Sequence, residues 1–127
     1  GPIEDIRRAG PFFEKAGARI YMPLQVSAAF HSRYMADAAK AFADFLAPMS
    51  FAAPKTPVIA NVTAQPYPTD SASEPVKSLL VDQIAHSVQW TQSIRFLISQ
   101  GVTQFSEMGP GNVLTRSAQQ IQQEKDI

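Results

Sequence analysis

The stretch VSAAFHSRYMADAAKAFADFL, residues 26–46, contains the pattern that decides the fold. Its second half repeats apolar side chains at three- and four-residue steps, namely Met35, Ala38, Phe42, Phe45 and Leu46. This spacing predicts an amphipathic helix over residues 33–47, with Ser32 in the N-cap position. Residues 18–26, upstream, are rich in large apolar side chains and predict a strand. Residues 18–47 therefore predict a strand, a turn of small residues and a helix.

The same two patterns continue on either side of this stretch. Helical periodicity marks residues 3–16, 75–86, 88–99 and 112–122, and short apolar runs at residues 57–62 and 102–108 predict further strands. Alternating strands and helices with short connections indicate an α/β fold with a parallel sheet. Two or three strands are few for a parallel sheet that stands alone, so the rest of such a sheet is expected to come from other residues.

Local signals predict where several helices begin or break. Gly10-Pro11 is expected to interrupt the first helix, because proline cannot donate the backbone hydrogen bond. Ser71-Ala72-Ser73-Glu74 matches a capping box, and Ser87 can cap the helix that follows. Gly109-Pro110-Gly111 predicts a tight turn, after which Asn112 can cap the last helix. That turn lacks the lysine and the glycine spacing of a phosphate-binding loop.

Composition narrows the functional classes. The 127 residues fit one domain or part of one, and 45% of them are hydrophobic, which is typical of a globular chain. Eleven basic residues balance eleven acidic ones, so no net charge favours nucleic acid or an anionic membrane. No apolar run is long enough to span a bilayer, and no leader peptide opens the chain, so we expect a cytoplasmic protein. Gly1-Pro2 resembles the remnant of a cleaved tag.

His31 is the candidate catalytic residue that position alone suggests. It lies between a predicted strand end and a helix start, at the edge of the sheet where α/β proteins place their sites. Ala28 and Ala29 beside it would let a substrate approach closely. Position alone favours the alternative of a half-buried histidine bonded to a helix end. For Gln83 two interpretations stay open. Its helical turn faces a site, or its amphipathic side chain only reaches the helix end.

Other chemistry is less favoured by the sequence. His86 is expected to be a surface histidine that caps a helix end, where the helix dipole favours a cation. The two histidines are far apart and the chain has no cysteine, so a metal site is not expected. The glycines give no G-x-S-x-G nucleophile elbow, and the chain is therefore incomplete as a serine hydrolase.

Residues 26–35, Val-Ser-Ala-Ala-Phe-His-Ser-Arg-Tyr-Met, resemble the histidine motif of malonyl-CoA:acyl carrier protein transacylases. The ending Phe-His-Ser-Arg-Tyr-Met is similar to the free-standing acyltransferases that serve polyketide synthases in trans. Four further segments resemble the family in the same order: residues 57–64, 80–84, 88–94 and 105–115. Ser87 departs from the family by replacing its usual proline.

The resemblance implies an architecture as well as an order of motifs. Residues 27–127 would be the carboxy-terminal part of an α/β-hydrolase-like acyltransferase domain. Residues 3–26 would be the last elements of its ferredoxin-like small subdomain. The amino-terminal part of the same domain is then an expected partner.

The resemblance also implies a reaction. A serine, absent from this chain, takes a malonyl group from malonyl-CoA and passes it to the phosphopantetheine thiol of an acyl carrier protein. His31 would be the general base and then acid, and the backbone carbonyl of Gln83 would orient it. Phe30, with Ala28 and Ala29 beside it, would face the substrate and favour malonyl over α-branched units. No cofactor beyond these substrates is implied, and the chain alone is expected to be inactive.

Two alternatives share these residues. One is a non-catalytic remnant that docks carrier protein or synthase domains. The other is an editing acyl hydrolase of the same fold, which passes the acyl group to water. The family's malonyl-binding arginine has no match in this chain, and that residue would separate the transferase from the hydrolase.

Overall fold

Within the residues that the structure describes, five α-helices make up most of the regular structure. The computed structural model describes residues 1–69 and 73–123. Its helices are α1 (Ile3–Lys15), α2 (Ala36–Leu46), α3 (Ser73–Ala85), α4 (Trp90–Ser99) and α5 (Val113–Gln123), with a 3₁₀ turn at Arg33–Met35 before α2. All five predicted helices are confirmed, with ends that differ from the expected ones by a few residues. Helical periodicity is local, which is why the sequence locates these elements well.

Helix α1 continues through Gly10 and Pro11, so the expected interruption is wrong. Gly10 is buried, and a Cβ atom there would lie 3.2 Å from the ring of Tyr21. The Tyr21 ring stacks on Phe13 with centroids 5.5 Å apart, and its hydroxyl donates a hydrogen bond to the carbonyl of Ile6. Tyr21 thus packs on α1 over the turn that contains proline, and this contact offsets the hydrogen bond that Pro11 cannot donate.

The three predicted strands are wrong for this chain. Within the described residues, 1–69 and 73–123, the only β pairing is an isolated antiparallel bridge between Ile59 and Pro66. Segments 18–26 and 102–108 keep apolar side chains exposed, with Ile20 at 77%, Leu24 at 76% and Met108 at 93%. A strand exists only when a neighbouring strand takes up its backbone groups. These segments have strand composition, but they do not pair with one another.

Two helix pairs bury most of the buried apolar residues, and the others are Ala60 and Ala64 in the loop between α2 and α3. Helix α2 packs against α3, and Lys77 on α3 donates a hydrogen bond of 2.9 Å to the carbonyl of Ala47 at the end of α2. Helix α4 packs against α5 around a buried cluster of Ile94, Ala118 and Ile121. Trp90 lies against this cluster, and its Nε1 donates to the Ser117 hydroxyl at 2.9 Å.

Two of the predicted caps, Ser32 and Ser87, are not used. The Ser32 hydroxyl donates to the carbonyl of Ala29 at 2.6 Å and makes no cap bond to the helix. Gln89, not Ser87, precedes the first residue of α4. Ser71 and Ala72 of the predicted capping box lie outside the described residues, while the Ser73 hydroxyl accepts a hydrogen bond from the Phe51 amide at 3.0 Å.

The start of α5 is capped by a side chain from before the Gly109-Pro110-Gly111 turn. The Glu107 carboxylate accepts hydrogen bonds from the Thr115 amide at 3.0 Å, the Thr115 hydroxyl at 2.8 Å and the Leu114 amide at 3.4 Å. The bonds from Thr115, first its amide and then its hydroxyl, hold the pKa of the Glu107 carboxyl below its ordinary value. A carboxylate at a helix N-terminus is also favoured by the helix dipole.

We expect Glu107→Gln to lower the thermal midpoint by a few degrees at neutral pH, because an amide oxygen is a weaker acceptor than a carboxylate. The pKa of Glu107 is lower in the folded state, so its contribution is full above the unfolded value of about 4.3 and is lost as pH falls through the folded value. Melting curves of both proteins over this range should converge in acid.

Glu14→Gln is the matched control, since Glu14 is exposed near the carboxy-terminal end of α1, where a negative charge is not favoured. Its midpoint should be unchanged or slightly higher. Equal midpoints for Glu107→Gln and the parent protein at neutral pH would contradict the capping role.

Candidate functional site

His31 lies against the carboxy-terminal end of α3. Its backbone amide donates a hydrogen bond to the carbonyl of Ile84 at 3.1 Å. Its imidazole Nδ1 lies 2.7 Å from the carbonyl oxygen of Gln83. The last four carbonyls of a helix have no partner inside the helix, and α3 ends at Ala85. His31 therefore provides hydrogen-bond donors for two carbonyls that the helix itself leaves unsatisfied.

This geometry joins the two alternatives that the sequence left open for His31. The histidine is bonded to a helix end, as the structural alternative predicted, but it is exposed rather than half-buried. The carbonyl that it contacts is the one at Gln83, which the family resemblance also names. A helix-capping histidine and an oriented, accessible imidazole are thus the same arrangement here. The catalytic role of both residues stays a prediction.

The contact with Gln83 determines which ring nitrogen of His31 carries hydrogen. A carbonyl oxygen only accepts, so Nδ1 must donate in the 2.7 Å contact. In the neutral ring the lone pair is then on Nε2, the nitrogen that can take a proton. This is the tautomer that a general base held by a carbonyl requires.

The backbone of His31 is in the left-handed region, with φ of +58°. Such values are uncommon outside glycine, although histidine, asparagine and aspartate tolerate them better than most residues. The turn that directs both His31 donors at α3 uses this conformation. No sequence signal predicted this conformation, because the residue at the turn is not glycine.

Asn61 joins the site and was missed by the sequence analysis. Its Nδ2 donates to the side-chain Oε1 of Gln83 at 2.9 Å, and its carbonyl accepts from the Gln89 amide at 2.7 Å. A signal was available, since Asn61 is the one polar residue in the apolar run of residues 57–62. A half-buried amide in such a run needs a hydrogen-bond partner.

The other predicted residues lie beside His31 in the chain. Ala28 and Ala29 are partly buried in the turn before it, and the Ala29 carbonyl accepts the Ser32 hydroxyl bond. The Phe30 side chain is 54% exposed and so is available for contact. His86 caps its own helix through a 2.7 Å contact of Nδ1 with the carbonyl of Asp82, as predicted.

A groove of about 590 Å³ lies elsewhere, between α4, α5 and residues 103–108, and none of its lining residues belongs to the His31 turn. Within residues 1–69 and 73–123, no three His, Cys, Asp or Glu side chains are grouped as metal ligands would be. None of the helices in that part of the chain is long and apolar enough to cross a membrane.

Solved structures of malonyl CoA-acyl carrier protein transacylases share this fold. A crystal structure of that enzyme from Burkholderia pseudomallei matches with a TM-score of 0.87 and 38% identity, covering 100% of this chain and 44% of the other. Another match, with a TM-score of 0.83 and 36% identity over 93% of this chain and 37% of the other, is described as a malonyl-transacylase in complex with a type II polyketide synthase acyl carrier protein.

Curated relatives give the same class. A polyketide biosynthesis malonyl CoA-acyl carrier protein transacylase, BaeC of Bacillus velezensis, is 46% identical over 99% of this chain and 43% of its own length. The polyketide biosynthesis protein ThaF of Burkholderia thailandensis is 48% identical over 98% of this chain and 10% of its own length. The chain thus spans less than half the length of these relatives. No family model matches it.

The resemblance predicted from the sequence is therefore confirmed. This chain is similar to the carboxy-terminal part of malonyl CoA-acyl carrier protein transacylases. The predicted α/β class is that of these structural neighbours, while the described part of the chain is mostly helical. The sheet is the element that this portion does not form alone.

The left-handed turn predicts a specific order of stability among His31 variants. Asparagine tolerates positive φ and valine does not, so His31→Val should be less stable than His31→Asn by about 1–2 kcal/mol. Urea unfolding of the two variants, in the longest natural form of the protein, measures the difference. Equal unfolding free energies for the two variants would show that the turn relaxes to negative φ without cost.

Proposed function

We propose that the protein carrying this chain moves a malonyl group from malonyl-CoA to the phosphopantetheine thiol of an acyl carrier protein, in polyketide or fatty acid biosynthesis. The observation that carries the proposal is the 2.7 Å contact between His31 Nδ1 and the Gln83 carbonyl. It lies in a chain that is similar to malonyl transacylases over almost its whole length. The name of one relative, PksC of Bacillus subtilis, specifies polyketide biosynthesis, and the name of a relative from Salmonella typhimurium gives the same transacylase without a pathway.

In the proposed reaction the two ring nitrogens of His31 have different roles. Nδ1 donates to the Gln83 carbonyl, and Nε2 takes the proton of a serine hydroxyl as its oxygen attacks the thioester carbonyl. The C–S bond breaks, and the coenzyme A thiolate leaves with the proton that Nε2 returns. In the second half, Nε2 takes the proton of the carrier thiol as its sulfur attacks the malonyl ester. The ester C–O bond then breaks, and Nε2 returns the proton to the departing serine oxygen.

The serine belongs to residues outside these 127, because the chain contains no G-x-S-x-G elbow. We propose that the amino-terminal part of the same acyltransferase domain supplies it. The exposed apolar side chains of Ile20, Leu24 and Met108 support such a partner, since strand-like segments bury such residues when a sheet forms around them.

We also propose the division of the chain that the motifs predicted. Residues 3–26 would be the last elements of a ferredoxin-like subdomain, and residues 27–127 the carboxy-terminal part of the α/β-hydrolase-like subdomain. The stacking of Phe13 on Tyr21 supports treating the first segment as one unit. The acyl carrier protein as partner is supported by the relative whose structure is described as a complex with one.

His31→Asn in the longest natural form should reduce transfer of labelled malonyl groups to carrier protein by roughly 10²–10⁴-fold, the usual contribution of a general base. Asparagine suits the left-handed backbone of residue 31 but cannot accept a proton at neutral pH. The matched control is His86→Asn, since His86 also contacts a helix carbonyl through Nδ1. It should transfer at the parent rate.

The same assay separates the alternatives. Release of free malonate or another acid, with no labelled carrier protein, would favour an editing hydrolase. Binding of carrier protein with neither product would favour a non-catalytic docking module. Equal rates for His31→Asn and the parent would exclude His31 as the base.

Phe30→Ser should raise loading of methylmalonyl relative to malonyl by about 10- to 200-fold, the range for one methyl group in an apolar pocket. The Phe30 ring is exposed beside His31, where it would occupy the space that an α-methyl group needs. Competition between the two coenzyme A thioesters measures the ratio. Phe45→Ser is the control, because Phe45 is 61% exposed on α2 and should leave the ratio unchanged. An unchanged ratio in Phe30→Ser would assign Phe30 to packing alone.

A further inference from the structure

We propose that Asn61 is a positioning residue for His31, acting through the side chain of Gln83. This inference rests on the proposed function for its consequence in catalysis, but not for its structural content. Asn61 touches neither His31 nor a reacting group in the proposed chemistry. It holds the residue whose carbonyl holds the imidazole.

Asn61 connects two neighbouring helix ends. Its side chain donates to Gln83 in the last turn of α3, and its carbonyl accepts from Gln89, the residue before α4. Asn61 therefore makes a hydrogen bond on each side of the connection between the two helices, residues 86–89. The last turn of a helix otherwise frays, since its carbonyls lack partners within the helix.

The carbonyl of Gln83 is one of these terminal groups. For Nδ1 of His31 to keep its hydrogen, this oxygen must stay 2.7 Å away and directed at the ring. The bond from Asn61 fixes the side chain of the same residue, at 2.9 Å. Gln83 is therefore held on both sides, with its backbone toward His31 and its amide toward Asn61.

The loop that carries Asn61 is itself well anchored. The Ala60 amide donates to the Gln65 carbonyl at 2.8 Å, and the Tyr67 amide donates to the Val58 carbonyl at 2.8 Å. Ala60 is 1% exposed and Ala64 is 5% exposed. Ala64 also has a left-handed φ of +55°, a conformation that alanine keeps only when its surroundings require it. Asn61 is thus a fixed point against which the end of α3 can be held.

The test is the tautomer of His31, read by ¹⁵N NMR of the histidine rings in the longest natural form of the protein. In the parent protein the Nδ1–H form of neutral His31 should dominate. Asn61→Leu keeps the shape of the side chain and removes its hydrogen bonds. We expect it to lower the share of the Nδ1–H form of His31 toward that of free histidine and to speed exchange of the Nδ1 hydrogen.

A second variant removes the same bond from the other side. Gln83→Met keeps the backbone carbonyl and the helix propensity but loses the side-chain amide. It should reproduce the effect of Asn61→Leu, and the double variant should add nothing further, because both substitutions break one interaction. Gln92→Met, the same substitution at an exposed position of α4, should leave His31 unchanged.

His86 serves as an internal reference, since its Nδ1 contacts the Asp82 carbonyl on the same helix. If the Nδ1–H signal of His86 is also lost in Asn61→Leu, that variant has unfolded. The proposal is then tested by the His31 tautomer in Gln83→Met. His31 signals that match the parent in a folded Asn61→Leu or Gln83→Met variant would overturn the proposal.

Kinetics then connect this effect to the proposed function. Asn61→Leu should lower kcat by about tenfold, with little change in KM for malonyl-CoA, because the loss is in proton transfer and not in binding. If the parent protein does not transfer malonyl groups, the proposed function is wrong. The tautomer measurement still tests whether Asn61 positions His31. A parent-like kcat together with a shifted tautomer would overturn the catalytic consequence alone.

Discussion

The unsatisfied carbonyls at the end of α3 are the constraint around which the candidate site is built. A helix leaves its last carbonyls without internal partners, and this one ends at Ala85. The chain meets that need with His31, which offers its backbone amide to Ile84 and its ring to Gln83. One requirement of backbone hydrogen bonding therefore orients an imidazole and leaves the lone pair of its neutral form on Nε2.

The turn at His31 and the loop at Asn61 follow from the same constraint. A left-handed residue lets two donors of one histidine face the same helix end. Asn61 adds a third contact from the opposite side, at the Gln83 amide. Each bond alone is worth only about 1 kcal/mol. Together they hold one carbonyl and one ring in fixed relation, which is the precision that general base catalysis needs.

The exposed apolar segments differ from the end of α3, because no other part of the described chain covers their side chains. Residues 18–26 and 102–108 have the composition of buried strands, yet Ile20 and Met108 lie 77% and 93% exposed. Helices satisfy most of their backbone hydrogen bonds internally, so α2 can pack on α3 and α4 on α5 without a sheet. Strands need neighbours, and this chain matches less than half the length of its relatives. The α/β class is thus a property of the longer fold.

The sequence by itself determined the five helices, the position of His31 before α2, and the family that the motifs resemble. Helical periodicity and a contiguous motif are local, so they can be read without knowing what lies opposite. Tertiary structure alone decided the left-handed turn, the cap that Glu107 provides to α5, the role of Asn61 and the absence of paired strands in the described residues. Each of these depends on groups brought together from distant positions; His31 and Gln83 are 52 residues apart. Periodicity carries no record of such contacts, because a hydrogen bond between them constrains geometry and not the spacing of apolar side chains.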